Sequence, residues 1–307
     1  MLGKITVNKE LITKMLPVIS YCDVNELNNA LFIQKEIRVS MLRLDEIHPV
    51  ISGNKLFKLH YFLEAAFKAN HQAVITFGGA YSNHLVATAY ACKLAGLRSV
   101  GIVRGERPTH LSHTLQDCLD HDMHLLFISR QDYERRDDHS FISSLQDKHG
   151  KCTIIPEGGY HPLGAKGASL IMNLLKENEY THVCTAVGSA TTLAGLLLNT
   201  RQDQHVVGIP VLKGMHDMGE RISFLTGTRS PYNNMQILDD YHFGGYAKTN
   251  DILIRFMNEF WQHYNIALDF VYTAKMMYAV IDKIKADHFP AGSRIICLHT
   301  GGLQGNS

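Results

Sequence analysis

Short apolar runs that end in glycine or a small-hydroxyl turn, each leading into a helix-period segment, recur along this 307-residue chain. Ala73-Val74-Ile75-Thr76-Phe77 runs into Gly78-Gly79, residues 183–187 run into Gly188-Ser189, and residues 294–298 run into His299-Thr300-Gly301-Gly302. Similar runs lie at 99–103, 125–128, 153–155 and 206–211. They are continuously apolar rather than alternating, as strands buried on both faces are. Helix-period segments fall between most of them. Residues 55–70 set Leu59, Phe62, Leu63, Ala66 and Phe67 on one face, and 83–95 stop at Gly96, a glycine placed to cap a helix C-terminus. Further helices are expected at 165–177, 191–199, 251–263 and 274–287. Strand–helix–strand order of this kind predicts an α/β protein with parallel sheets flanked by helices. Residues 104–151 turn polar and rich in His, Asp and Arg before Pro156-Glu157-Gly158-Gly159, so a domain boundary is expected near 160.

Composition narrows the function classes. With 30 basic and 29 acidic residues the formal charge is +1, which offers no electrostatic footprint for nucleic acid or an acidic membrane. The 6 cysteines form no C-x-x-C and read as buried thiols in a reducing compartment. No apolar run approaches the ~20 residues of a membrane span. The N-terminal stretch with Lys4, Lys9 and Glu10 lacks the apolar core of a secretory leader, so a cytoplasmic protein is expected. There is no H-E-x-x-H, His121-x-x-His124 lacks partners at metal spacing, and no G-x-S-x-G elbow occurs. Gly159 to Lys166 is not a P-loop, because Ala165 separates Gly164 from Lys166.

Four constellations remain. Ser52-Gly53-Asn54-Lys55-Leu56-Phe57-Lys58-Leu59 delivers a lysine to a helix start, where desolvation and the helix terminus both lower an ammonium pKa. Such a lysine suits Schiff-base chemistry, although a solvated first-turn lysine has the same pattern. Gly78-Gly79-Ala80-Tyr81-Ser82-Asn83-His84 follows a strand end, where ligands of open parallel sheets gather. There Ser82 and Asn83 either bind a ligand or simply cap the helix. Gly188-Ser189-Ala190-Thr191-Thr192 combines backbone amides and hydroxyls at a helix start, a phosphate cradle or an ordinary turn. Leu298-His299-Thr300-Gly301-Gly302 follows the last strand, with Tyr246 and Tyr272-Thr273 completing the set.

Together, in this order, the segments resemble the D-cysteine desulfhydrase and 1-aminocyclopropane-1-carboxylate (ACC) deaminase family of pyridoxal-phosphate (PLP) enzymes. The likeness runs from Arg43-Leu44-Asp45 to Gly302. The family's G-G-N-K-x-R-K-L-E stands here as Ser52 to His60, its Q-S-N-H as Tyr81 to His84, and its G-S-G-G-T-x-A-G-L as Gly188 to Leu196 with Ala190 and Thr191 replacing two glycines. P-E-G-G is intact at Pro156 to Gly159, and D-P-V-Y-T-G-K stands as Asp269 to Lys275 with Ala274 for glycine. The resemblance implies fold type II, the tryptophan-synthase-β type. Residues 55–160 would form the small domain, 1–54 with 161–307 the large one, and PLP would lie between them in a homodimeric enzyme.

On the same resemblance Lys55 is the Schiff-base lysine, and Asn83 bonds the ring hydroxyl. Ser82 and His84 lie near the substrate carboxylate, and Gly188, Ser189, Ala190, Thr191 and Thr192 hold the phosphate. Tyr272 packs on the ring with Thr273 and Thr300 beside it, and Tyr246 and Tyr272 handle protons. ACC deaminases carry Glu after the motif tyrosine and Leu where this chain has Thr300, whereas desulfhydrases carry Thr at both positions. Thr273 and Thr300 therefore point to α,β-elimination from D-cysteine, giving pyruvate, sulfide and ammonia. ACC deamination is the alternative within the fold, and a PLP-binding protein with little turnover is the alternative outside enzymes. Lys55→Ala is expected to abolish the Schiff-base absorbance of the PLP-loaded protein; an unchanged spectrum would overturn the lysine assignment.

Overall fold

A computed structural model describes residues 21–176, 179–229 and 232–306. The leader reading at the N-terminus and the end of the helix expected at 165–177 lie outside these residues. The strands are β1 (Val24–Leu27), β2 (Arg38–Leu42), β3 (Ala73–Gly78), β4 (Arg98–Arg104), β5 (Met123–Ile128), β6 (Cys152–Ile155), β7 (His182–Val187), β8 (His205–Pro210), β9 (Met235–Ile237) and β10 (Arg294–Leu298). They form a six-stranded sheet, β1-β2-β10-β7-β8-β9, and a four-stranded sheet, β5-β4-β3-β6. Every pairing is parallel except β1 with β2.

The α-helices are α1 (Ala30–Gln34), α2 (Lys55–Lys68), α3 (Asn83–Ala95), α4 (His113–Asp120), α5 (Arg130–Glu134), α6 (His139–His149), α7 (Pro162–Ser169), α8 (Thr191–Leu198), α9 (Met218–Thr226), α10 (Asp251–Tyr264) and α11 (Thr273–Lys285). The central strands read as continuous apolar runs because successive side chains enter different cores. Val183 and Val187 of β7, with Ile296 and Leu298 of β10, join the core shared with α2, α7 and α8. Cys184 and Ala186, with Ile295 and Cys297, face the core beneath α10 and α11.

The sequence expectations meet three corrections. The helix expected from 165 starts at Pro162, because proline suits a first helical position and the His161 side chain accepts the Leu163 amide at 3.1 Å. It gives way to a 3-10 turn at Leu170–Leu174. The polar stretch 104–151 contains α4, α5 and α6, whose buried faces are narrow: Leu145 alone is buried on α6. The hairpin of β1 and β2 adds an antiparallel edge that the apolar runs did not disclose.

Two glycines set the approach of α7 to its neighbours. A Cβ on Gly167 would stand 2.0 Å from the Phe57 carbonyl oxygen, and one on Gly195 would stand 2.5 Å from Ala168 Cβ. Phe57 itself is buried in this helix core. Gly167→Ala is expected to lower the unfolding free energy by about 1–3 kcal/mol, as overpacking does, measured as a shift in urea midpoint; an unshifted midpoint would mean that α7 moves freely on α2.

Candidate active site

Open parallel sheets form a crevice where neighbouring strands send their connections in opposite directions. In the four-stranded sheet that point lies between β3 and β6, and in the six-stranded sheet between β7 and β10. The loops leaving these four strands are Gly79–Ser82, Pro156–Gly159, Gly188–Ala190 and His299–Gly302, so the motif segments gather at both crevices. The crevices meet: a Cβ on Gly158 would lie 3.2 Å from Ser189 Oγ.

Lys55 opens α2 beside the end of β10. Gly53 has a left-handed backbone (φ +69°), and a Cβ there would stand 1.9 Å from the Thr300 carbonyl oxygen. Only glycine allows this crossing. Lys55 Nζ donates to the same Thr300 oxygen at 3.4 Å and lies 5.8 Å from the Tyr272 ring centre. Desolvation lowers its pKa to about 8, opposed by the nearby Asp269 carboxylate.

Lys58, one turn further on, was not singled out as functional by its sequence context. It is buried and donates to the Gly158 carbonyl at 3.2 Å. Desolvation, and then the Lys55 charge, bring its pKa to about 7. Its i,i+3 spacing from Lys55 is the signal that could have found it, since both then share one helix face.

The Gly188–Thr192 loop lies next to it. Ser189 Oγ and Thr191 Oγ1 are 2.9 Å apart, at the N-terminus of α8. Ala190 keeps the left-handed conformation (φ +65°) that glycine would adopt without strain. Thr192 Oγ1 accepts from Asn54 Nδ2 at 2.8 Å, tying α8 to the residue before Lys55. A Cβ on Gly188 would come within 3.2 Å of Tyr272 Cε1.

At the start of α3, Ser82 caps the helix by accepting the Leu85 amide at 3.4 Å, and the buried Oδ1 of Asn83 has no partner. The capping and ligand-binding readings are therefore compatible. His84, expected near the substrate carboxylate, is buried in the first turn of α3. Its Nε2 lies 2.9 Å from Thr76 Oγ1, and Thr76 Oγ1 lies 2.9 Å from the Ile155 carbonyl oxygen. A carbonyl can only accept, so the threonine proton goes there and His84 carries its proton on Nε2. Its buried Nδ1 is left as an unpartnered acceptor. Desolvation, with Lys58 and Lys55, depresses its pKa to about 3, which favours the neutral ring.

Tyr272 and Tyr246 meet edge-on, with ring centres 6.2 Å apart. Desolvation, with Tyr246 next, raises the Tyr272 pKa well above the ordinary tyrosine range. Thr273 is buried, and its hydroxyl is committed to Asp269. It accepts from the Asp269 amide at 2.8 Å and lies 2.7 Å from Asp269 Oδ2, to which it donates. Asp269 also accepts the Val271, Tyr272 and Thr273 amides at 3.1, 2.8 and 2.9 Å. Its carboxylate thus caps α11 and holds Tyr272 in place, a role that the sequence did not reveal. Of the two threonines expected beside a cofactor ring, Thr300 alone keeps its hydroxyl free of this network.

A phosphate-bearing pyridine aldehyde fits these groups. Among the described residues, two desolvated lysines have no ion-paired carboxylate and an amide oxygen has no partner, while a small-residue loop opens onto an aromatic ring at a helix N-terminus.

Comparison with known proteins agrees with this fit. The model of the family described as pyridoxal-phosphate-dependent enzyme matches residues 27–301. A Thermotoga maritima protein provisionally named 1-aminocyclopropane-1-carboxylate deaminase is 31% identical, over 83% of this chain and 85% of its own length. The mitochondrial bifunctional D-cysteine desulfhydrase/1-aminocyclopropane-1-carboxylate deaminase of Arabidopsis thaliana is 28% identical over 83% of this chain and 70% of its own. The D-cysteine desulfhydrase of Yersinia pestis is 24% identical over 85% and 86%. The crystal structure of an ACC deaminase homologue superposes with a TM-score of 0.80 at 26% identity, covering 97% of each chain. A threonine deaminase structure, at 13% identity and a TM-score of 0.65 over 96% of this chain and 98% of its own, shares the fold. No helix among the described residues is long and apolar enough to cross a membrane.

The depressed lysines make a pH prediction for the cofactor-free protein. Lys58 titrates near 7 when folded and near 10.5 when unfolded, so between these values the unfolded chain binds more protons. Unfolding free energy then rises with pH in that window. Lys58→Met is expected to flatten the rise between about pH 7 and 9; denaturation curves of equal pH slope for both proteins would contradict the burial of this charge.

Proposed function

The chain belongs to the pyridoxal-phosphate-dependent enzyme family, and on that premise we propose that it catalyses α,β-elimination on D-cysteine, releasing pyruvate, sulfide and ammonia. Bound PLP supplies the electron sink for negative charge that develops at Cα. In this reading residues 55–160 act as a small domain against 1–54 and 161–307, with the cofactor between them.

Lys55 would hold the cofactor, and its free amine would take the Cα proton on Nζ. A pKa near 8 leaves it a larger neutral fraction than an ordinary lysine has. Lys58, the Ser189 and Thr191 hydroxyls and the first amides of α8 hold the phosphate. Asn83 would hold the ring hydroxyl, and Tyr272 would pack against the ring. The Ser82 hydroxyl and the free amides at the start of α3 take the substrate carboxylate, in place of the neutral His84. Tyr246 and Tyr272 manage the proton at the leaving group. The C–S bond breaks, sulfur leaves protonated, and the released aminoacrylate hydrolyses to pyruvate and ammonia.

The observation that carries the choice of D-cysteine is the lack of a free carboxylate at positions 273 and 300. Thr273 and Thr300 stand there, and the neighbouring Asp269 is occupied by the N-terminus of α11. A carboxylate beside the pyridine nitrogen would favour its protonated form and a stronger sink, which opening a cyclopropane demands more than thiolate loss does. The relative from Thermotoga, named for ACC, favours ACC deamination as the second reading.

The test is pyruvate and sulfide release by the PLP-loaded protein from D-cysteine, with L-cysteine and ACC alongside. Release from D-cysteine alone is the expected result. Release of 2-oxobutyrate from ACC at the faster rate would replace this reading with the second.

A further inference from the structure

Lys275 is fully buried on the first turn of α11, among Ala274, Met276 and Met277, which are also buried. Its ammonium donates to the carbonyls of His242 at 2.9 Å and Gly245 at 2.7 Å. Both belong to the segment 242–248, which leads into α10 and carries Tyr246. The backbone of this segment is left-handed at Phe243 (φ +50°), Gly244 (+94°), Gly245 (+120°) and Ala247 (+52°). Such a run forms neither helix nor sheet, and the His242 and Gly245 carbonyls each accept one local amide and keep a second lone pair for the Lys275 ammonium. The segment's own bonds are few: the Gly245 amide to the His242 oxygen at 3.0 Å, the Gly244 amide to His242 Nδ1 at 3.0 Å, and the Lys248 amide to the Gly245 oxygen at 3.2 Å.

A buried ammonium is a costly way to fill a core position, and an apolar side chain of similar size often serves stability as well or better. What the ammonium adds here is geometry. It converges on two carbonyls three residues apart and locks an otherwise strained loop against the helix that Tyr272 precedes as N-cap. The two tyrosines then meet edge-on across that junction.

We propose that Lys275 is a positioning residue, which fixes the 242–248 loop through the His242 and Gly245 carbonyls and so holds Tyr246 against Tyr272 at the mouth of the cleft. The inference rests on the elimination reading above, in which Tyr246 manages a proton. Its structural half, the anchoring of the loop, can be measured without any substrate.

The experiment compares wild type, Lys275→Met, Tyr246→Phe and the double variant, all PLP-loaded. Lys275→Met is expected to lower kcat on the order of 100-fold, the scale of a small misplacement of a reacting group, with KM and cofactor absorbance nearly unchanged. In the Tyr246→Phe background the same change is expected to cost no further kcat. Amide hydrogen exchange is expected to speed up at 242–248 and to stay unchanged across α11. Wild-type kcat with unchanged exchange in Lys275→Met would overturn the inference, and so would fully additive losses in the double variant.

Wild-type kcat in Tyr246→Phe would instead remove the tyrosine from the reaction and overturn the catalytic link, leaving the exchange data to judge the anchor. Should Lys275→Met not fold, Gly245→Ala strains the same loop through its φ of +120° while its Cβ has room, 3.7 Å from Lys213 Cβ. The same kcat loss, again non-additive with Tyr246→Phe, is expected there, and wild-type kcat would count against the proposal.

Discussion

At Gly53 the chain passes so close to Thr300 that no side chain could stand between the two backbones. This crossing brings the N-terminus of α2 to the carboxyl end of β10, and the rest of the site depends on it. Lys55 reaches the Thr300 carbonyl, Asn54 reaches Thr192 at the head of α8, and Lys58 reaches the turn after β6. The starts of α2 and α8 and the ends of β10 and β6 are thereby drawn to one place. The low packing tolerance of the α7 layer, set by Gly167 and Gly195, keeps α2 from sliding out of this register.

The electrostatics follow from that geometry. Two lysines are desolvated within one turn of helix, and each lowers the other's hold on its proton or that of a neighbour. The carboxylate close to them, Asp269, has both oxygens engaged by the start of α11 and moderates the charge without neutralising it. His84 is kept neutral by the same field and by its bond to Thr76. A cleft in this state favours an anion, and in the elimination reading a phosphate dianion would answer both the desolvated Lys58 and the amides of α8.

Much of this was legible in the sequence because parallel strands buried on two faces need long apolar runs, and the loops after them need small residues. β3, β4, β6, β7, β8 and β10 fell where such runs stand, and Gly96 caps α3 in the left-handed conformation expected of it. Short or edge elements were harder. Three of the four residues of β1 are exposed, so it lacks the buried pattern, and β9 has only 3 residues. The helices of the polar stretch bury single residues or small groups, too few to impose a period. At the site, Thr273 was read by its hydroxyl, whereas the structure joins that hydroxyl to Asp269, four residues earlier in the chain.

By itself, then, the alternation of apolar runs with helical periods determined the α/β class, because residue type and local period carry that information, and the order of motifs pointed to the cofactor and to Lys55 through the family it resembles. The tertiary structure alone decided which groups are charged, which are bonded to each other and which remain free. Nothing in the local pattern around Lys58, His84 and Lys275 discloses their burial or their bonds. Their roles come from burial and from carbonyls and hydroxyls brought in from strands and loops far away in sequence, and desolvation is a property of position that no local pattern encodes.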